Sequence, residues 1–139
     1  MATIKHLFHI AAAQNKVFEA VTSIDGLKSW WTAQVSGSSD IGDVLAFRFK
    51  GSGMDFRVTS QTAGERVEWE CISGFAEWIG TKITFALDQN EGKTRVRFEH
   101  SGWAATNDQY AAINFSWSRY MESLRQYCET GTGAPFTNS

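Results

Sequence analysis

His100 is the residue best suited by type and position to do chemistry. In the stretch 94–102 it alternates in phase with Val96 and Phe98, while Arg95, Arg97 and Glu99 take the other phase. Period-two alternation therefore turns its imidazole toward the apolar side of a strand. An imidazole in an apolar site acts as a general base or as a polar anchor for a ligand. Tyr110, Asn114 and Tyr120, downstream, are candidate hydrogen-bond partners, and a tyrosine would complete a cyclase- or hydratase-type pair. The same placement also suits a satisfied core histidine that ties the strand to the loop after it. Beyond His100 the chain lacks reactive patterns: there is no Gly-x-Ser-x-Gly elbow, dinucleotide fingerprint or phosphate loop, and KGSGM reads as a hairpin turn. His6, His9 and His100 have no metal-ligand spacing, nor do Cys71 and Cys128, which occupy apolar positions of their own segments. No metal, cofactor or catalytic set is expected.

Aromatic residues carry the other signal. Six Trp, 10 Phe and 3 Tyr in 139 residues can fill a core or line a pocket for a flat, greasy molecule. Trp31, Phe47, Trp69, Phe85, Phe98, Trp103, Tyr110, Trp117 and Tyr120, with His100, form the candidate ligand-binding set. Trp30 and Trp31 are expected to seal one end of the sheet, one of them as a pocket wall. Glu77 and Trp78 sit in GFAEWIG, a connection too apolar for a simple hairpin, where the carboxylate is either solvated or at a cavity mouth.

A long helix over about 107–129 must position much of this set. Tyr110, Ile113, Trp117, Tyr120, Met121, Leu124, Tyr127 and Cys128 recur at three- and four-residue steps, on one face. Arg119, Glu122, Ser123, Arg125, Gln126 and Glu129 fall on the face expected to be solvated. Thr106 with Gln109 reads as a capping box, Gly131 and Gly133 as the stop, and Pro135 as a block to resumption. Upstream, a first strand holds Ile4, His6, Phe8 and Ile10. Short helical segments follow, with Val17, Phe18 and Val21 in the first and Leu27, Trp30 and Trp31 in the second. Strands are then expected over 34–36, 44–50, 54–61, 66–73, 81–89 and 94–102. Leu45, Phe47, Phe49, Phe56, Val58, Val67, Trp69, Cys71, Ile83, Phe85 and Leu87 share the apolar face, and most charges take the other. A twisted antiparallel sheet that is apolar on one side must wrap the one large apolar partner in the chain, the last helix.

A net charge of −2 and the lack of a basic run exclude a nucleic-acid backbone binder. No stretch approaches the roughly 20 apolar residues of a membrane span. His6 and His9 interrupt the region where a leader would need a continuous apolar core. The expectation is one cytoplasmic domain over 1–139 with a flexible tail from about 131, as a monomer or a homodimer.

Three stretches resemble a known family. VFEAVTSIDGLKSWW (17–31), TRVRFEHSGW (94–103) and SWSRYMESLRQYCETGTGAPF (116–136) are similar to SRPBCC proteins of the kind related to the activator of the heat-shock chaperone ATPase, of the Aha1 C-domain type. Many relatives carry a Gly-Trp pair in the terminal helix, where this chain has Ser116 before Trp117. The resemblance implies an α+β helix-grip fold, START-like and birch-pollen-allergen-like: a curved antiparallel sheet around the C-terminal helix, with two short helices after the first strand. It also implies a deep cavity between sheet and helix for a small hydrophobic molecule or lipid. A heat-shock chaperone is the protein partner it implies. Lipid carriers, cyclases and co-chaperone domains all share the fold, so fold alone selects no activity.

Overall fold

The computed structural model describes residues 1–137. Strand β1 (Ala2–Ile10) is followed by helices α1 (Gln14–Thr22) and α2 (Ile24–Trp30). Strands β2 (Gln34–Gly37), β3 (Val44–Phe49), β4 (Ser52–Thr62), β5 (Arg66–Ser73), β6 (Lys82–Asn90) and β7 (Lys93–Trp103) come next, and helix α3 (Asp108–Thr130) closes the order. The strands form one antiparallel sheet in the order β1-β7-β6-β5-β4-β3-β2, so the first strand pairs with the last and β1 and β2 are the edges. This is the helix-grip arrangement, with the long helix packed across the inner face.

Alternation decides that face. Leu45, Phe47, Phe56, Val58, Val67, Trp69, Ile83, Phe85, Val96 and Phe98 are buried in a single cluster with Trp117, Met121, Leu124 and Cys128 of α3. Register brings Phe85 opposite Phe98 and Ile83 opposite His100, so neighbouring strands contribute rings and branched chains at the same level. Charged pairs such as Arg95–Asp88 and Arg48–Asp55 occupy the outer face.

Local chemistry differs from expectation at three places. Asn107, not Thr106, caps α3, its side chain accepting the Tyr110 amide at 3.1 Å. The Asn107 amide oxygen accepts the backbone N–H three residues on, as an N-cap does, so the helix begins one residue later than a Thr106–Gln109 box would place it. Ser123, expected on the solvated face, is buried: its hydroxyl donates to the Trp30 carbonyl at 2.8 Å and accepts the Ala134 amide at 2.7 Å. The chain leaving the helix covers it. The β3–β4 turn is the two residues Lys50 and Gly51, closed by the Phe49–Ser52 pair, so Gly53 lies within β4 and not in the turn.

Gly131 ends α3 in the left-handed conformation (φ 89°), which glycine adopts without a Cβ clash. The segment read as a flexible tail then runs back along the body. A Cβ on Gly133 would stand 2.5 Å from the Ser29 carbonyl oxygen, so the close approach there needs glycine. Phe136 donates its amide to the Trp31 carbonyl (2.8 Å) and accepts the Ala33 amide (3.0 Å). Asn138 and Ser139, the last residues of that expected tail, lie outside the described residues.

Candidate ligand groove

The aromatic set divides in two. Phe47, Trp69, Phe85 and Phe98 pack ring to ring across the middle of the inner face, with Phe47–Trp69 at 5.8 Å, Trp69–Phe85 at 5.7 Å and Phe85–Phe98 at 5.1 Å between centroids. All four are fully buried and none borders the groove described below. Trp103 is buried against Trp78 and His100, and Tyr110 is half-buried with its hydroxyl donating to the Thr3 carbonyl at 3.2 Å. Trp31, Trp117 and Tyr120 behave differently: they form one wall of a cavity of about 400 Å³. That volume falls within the roughly 300–1,000 Å³ of small-molecule sites.

The groove lies where four segments of the chain meet. The β3–β4 hairpin contributes Phe49, Lys50, Ser52 and Met54, and the loop before β6 contributes Phe75 and Trp78. Helix α3 contributes Ile113, Ser116, Trp117 and Tyr120 along one stripe, and the returning tail adds Phe136. Phe136 stands 5.2 Å from Phe49, ring to ring, and Trp31 packs, tilted, between Phe47 (4.3 Å) and Trp117 (4.9 Å). Trp31 therefore belongs both to the filled middle and to the open end. The surface is aromatic on most sides, with polar atoms from Ser52, Ser116, Tyr120 and the exposed Lys50 at the mouth. Phe49, Met54, Phe75, Trp78, Ile113 and Phe136 were not among the residues singled out as ligand-binding. The apolar GFAEWIG connection was the available signal for Phe75 and Trp78. Phe136 had none, because its position depends on how the chain turns after Gly131. Glu77 is exposed and does not border the groove.

His100 sits behind the groove wall, fully buried. None of its expected partners bonds to it. Tyr110 and Asn114 are engaged elsewhere, Asn114 with His6 at 2.9 Å, because α3 crosses the sheet with Trp117, further along the helix, above the imidazole. Trp117 Nε1 donates to His100 Nδ1 at 3.0 Å. An indole N–H can only donate, so Nδ1 is the acceptor and the ring proton resides on Nε2. Nε2–H then donates to Thr81 Oγ1 at 2.8 Å, and the Thr81 hydroxyl donates to the Trp78 carbonyl at 2.6 Å. The result is a directional chain from one groove wall, Trp117, to the other, Trp78. Burial pushes the His100 pKa down to about 3, which keeps the ring neutral. Trp78 and Trp103 flank it, each with its ring centroid 4.7 Å away, and both ring nitrogens are occupied. The geometry is that of a strut between two walls, with no free nitrogen facing the groove.

Among the described residues no cluster of His, Cys, Asp or Glu could hold a metal ion, and no helix is long and apolar enough to cross a membrane. Cys71 and Cys128 are free and buried, and burial raises both thiol pKa values to about 11.

The architecture has known counterparts. The solution structure of the Aha1 dimer from Colwellia psychrerythraea is 40% identical, covering 96% of this chain and 100% of that one, with a TM-score of 0.89. SSP2350 from Staphylococcus saprophyticus shares the fold at 17% identity, with 96% of each chain covered and a TM-score of 0.79. CalU16 from Micromonospora echinospora does so at 14% identity, over 93% of this chain and 77% of that one, with a TM-score of 0.74. No curated protein matches the sequence. A family model described as activator of Hsp90 ATPase homolog 1-like protein matches residues 11–129. With most of its length matched by that model, and with a relative of 40% identity aligned nearly end to end, the chain belongs to the activator of Hsp90 ATPase homolog 1-like family.

Proposed function

We propose that the protein binds a small, flat hydrophobic molecule in the groove between α3, the β3–β4 hairpin and the returning tail, without acting on it covalently. One observation carries this reading: a cavity of about 400 Å³ walled by seven aromatic rings stands open at the end of an otherwise filled core. Aromatic walls favour a flat ligand through offset and edge-on ring contacts, and a preformed cavity spares the ligand the cost of opening the core. His100 supports the non-catalytic side of the reading. Its nitrogens are both bonded and its pKa is far below neutrality, which leaves it neither the access nor the basicity of a general base.

The test is intrinsic fluorescence. Three of the six tryptophans, Trp31, Trp78 and Trp117, line the groove, so an uncharged aromatic such as naphthamide should quench or shift their emission in a saturable way. Ser116→Phe, which places a ring inside the groove, should abolish that response while the protein stays folded. An unchanged response in Ser116→Phe would remove the groove as the binding site.

A protein-interaction role is the second reading. The relative from Colwellia psychrerythraea was solved as a dimer, and Phe75, Ile79 and Phe115 are large apolar side chains exposed on this chain. Homodimerisation, or docking onto a heat-shock chaperone, would cover such residues. Light scattering of the purified protein, alone and mixed with the chaperone, separates these outcomes. A monomer that leaves the chaperone's ATPase rate unchanged would retire this reading.

A further inference from the structure

The groove has a charged mouth whose sign runs against that of the protein. Among the described residues no aspartate or glutamate borders the groove or the small pocket adjoining it, although the chain has 15 acidic residues against 13 basic ones. The adjoining pocket shares Ser116 and Tyr120 with the groove and adds Arg119. Lys50, at the tip of the two-residue β3–β4 turn, borders the groove itself. Arg48, Arg66, Arg95, Arg97 and Arg125 are paired with carboxylates; among the described residues Lys50 and Arg119 form no ion pair, and of the cations without one (Arg57 and the other lysines included) they are the two that border the cavities. Asp55 is paired with Arg48, and Glu122 and Glu129 with Arg125; Glu77, in the loop that carries Phe75 and Trp78, is exposed and borders neither cavity.

We propose that the preferred ligand is an aromatic molecule carrying one anionic head group, such as a carboxylate, which the mouth holds between Lys50, Arg119 and the Tyr120 hydroxyl while the rings enclose its flat body. The proposal deepens the groove reading above and rests on it. Tyr120 suits the role because its hydroxyl makes no hydrogen bond among the described residues and the residue lines both groove and pocket. Burial raises its pKa, and Arg119 opposes that shift, so the phenol remains protonated at neutral pH and can donate. An anion lodged there receives charge-assisted hydrogen bonds in a partly dehydrated setting, whereas a cationic head meets two like charges and no counter-charge. Ser116, a small residue, stands with Tyr120 between the groove and the pocket, where a larger side chain would add bulk to both.

Three probes of matched shape decide the matter: naphthoate, naphthamide and naphthylmethylamine, titrated into the full chain by tryptophan fluorescence and calorimetry at low and high salt. Naphthoate should bind about tenfold more tightly than naphthamide, with the amine weakest, and the gap should shrink as salt screens the mouth. Lys50→Gln with Arg119→Gln should bring naphthoate affinity down to that of naphthamide measured in the same variant. Lys93→Gln, at the exposed first residue of β7, removes one positive charge elsewhere and should leave the preference intact. Equal affinity for naphthoate and naphthamide would overturn the head-group assignment while leaving the groove reading standing. Retention of the preference in the double variant would overturn it as well. Failure of all three probes to bind would remove both.

Discussion

The middle of the inner face and its open end are built from the same kind of residue, yet one is solid and the other hollow. In the middle, Phe47, Trp69, Phe85 and Phe98 come from β3, β5, β6 and β7 of one sheet in fixed register, so each ring meets the next at 5–6 Å. At the end, Phe49, Phe75 and Phe136 come from the end of a strand before its hairpin turn, a loop and a tail, which share no strand register with one another. Aromatic content does not make a cavity. Regular register lets rings collapse onto one another, and only where the segments share no register do the same rings stand as walls. Trp117 and Trp31 belong to both regions, and the His100 chain fastens the boundary between them.

Trp117→Ala should break that comparison most severely. It removes the ring that separates middle from end and leaves His100 Nδ1 without its donor, so chemical denaturation should show a loss of about 4 kcal/mol. Trp117→Phe, which keeps most of the packing and removes the N–H, should cost about 1–2 kcal/mol. A near-neutral Trp117→Ala would mean that middle and end are not mechanically joined.

The next effect is pH dependence. His100 has its folded-state pKa lowered to about 3 from 6.5, so between those values the unfolded chain binds a proton that the native chain does not. Its contribution is therefore full above pH 6.5 and is lost as pH falls toward 3, by an amount on the order of 5 kcal/mol. Asp88 and Glu122, whose pKa values are lowered by hydrogen bonds from arginines, lose their own small share only at more acidic pH. Urea midpoints measured from pH 7.5 to pH 4 in wild type and His100→Gln isolate the histidine. The variant should lose most of the slope and, since the amide can still bridge Trp117 and Thr81, keep its affinity for naphthamide within about threefold.

Gly133→Ala should sharpen the comparison from the open side. A Cβ there collides with the Ser29 carbonyl and lifts the tail that carries Phe136, so stability should fall by about 1–2 kcal/mol and ligand affinity with it. Cleavage after the last turn of α3 by a protease of broad specificity should become faster. The smallest effect is at the thiols. Cys71 and Cys128, buried and with raised pKa values, should remain unmodified by a thiol reagent at pH 7.5 until the protein unfolds.

By itself the sequence determined the order of elements, the inner and outer faces of every long strand and the apolar stripe of α3, because period-two and 3.6-residue patterns are local and repeat over many residues. It carried enough of 17–31, 94–103 and 116–136 to place the chain in its family. It also marked Trp31, Trp117 and Tyr120, which do border the groove, alongside Phe47, Trp69, Phe85 and Phe98, which lie in the filled middle, because period tells which face a ring takes but not whether a neighbour occupies the space before it. Only the tertiary structure decided that Thr81 and Trp117, not a tyrosine, hold His100, and that Phe136 returns to form a wall. Both depend on where a loop or a tail lands relative to an element distant in sequence, which no short-range pattern encodes. The groove exists for the same reason: it is the space left where segments without a common register come together.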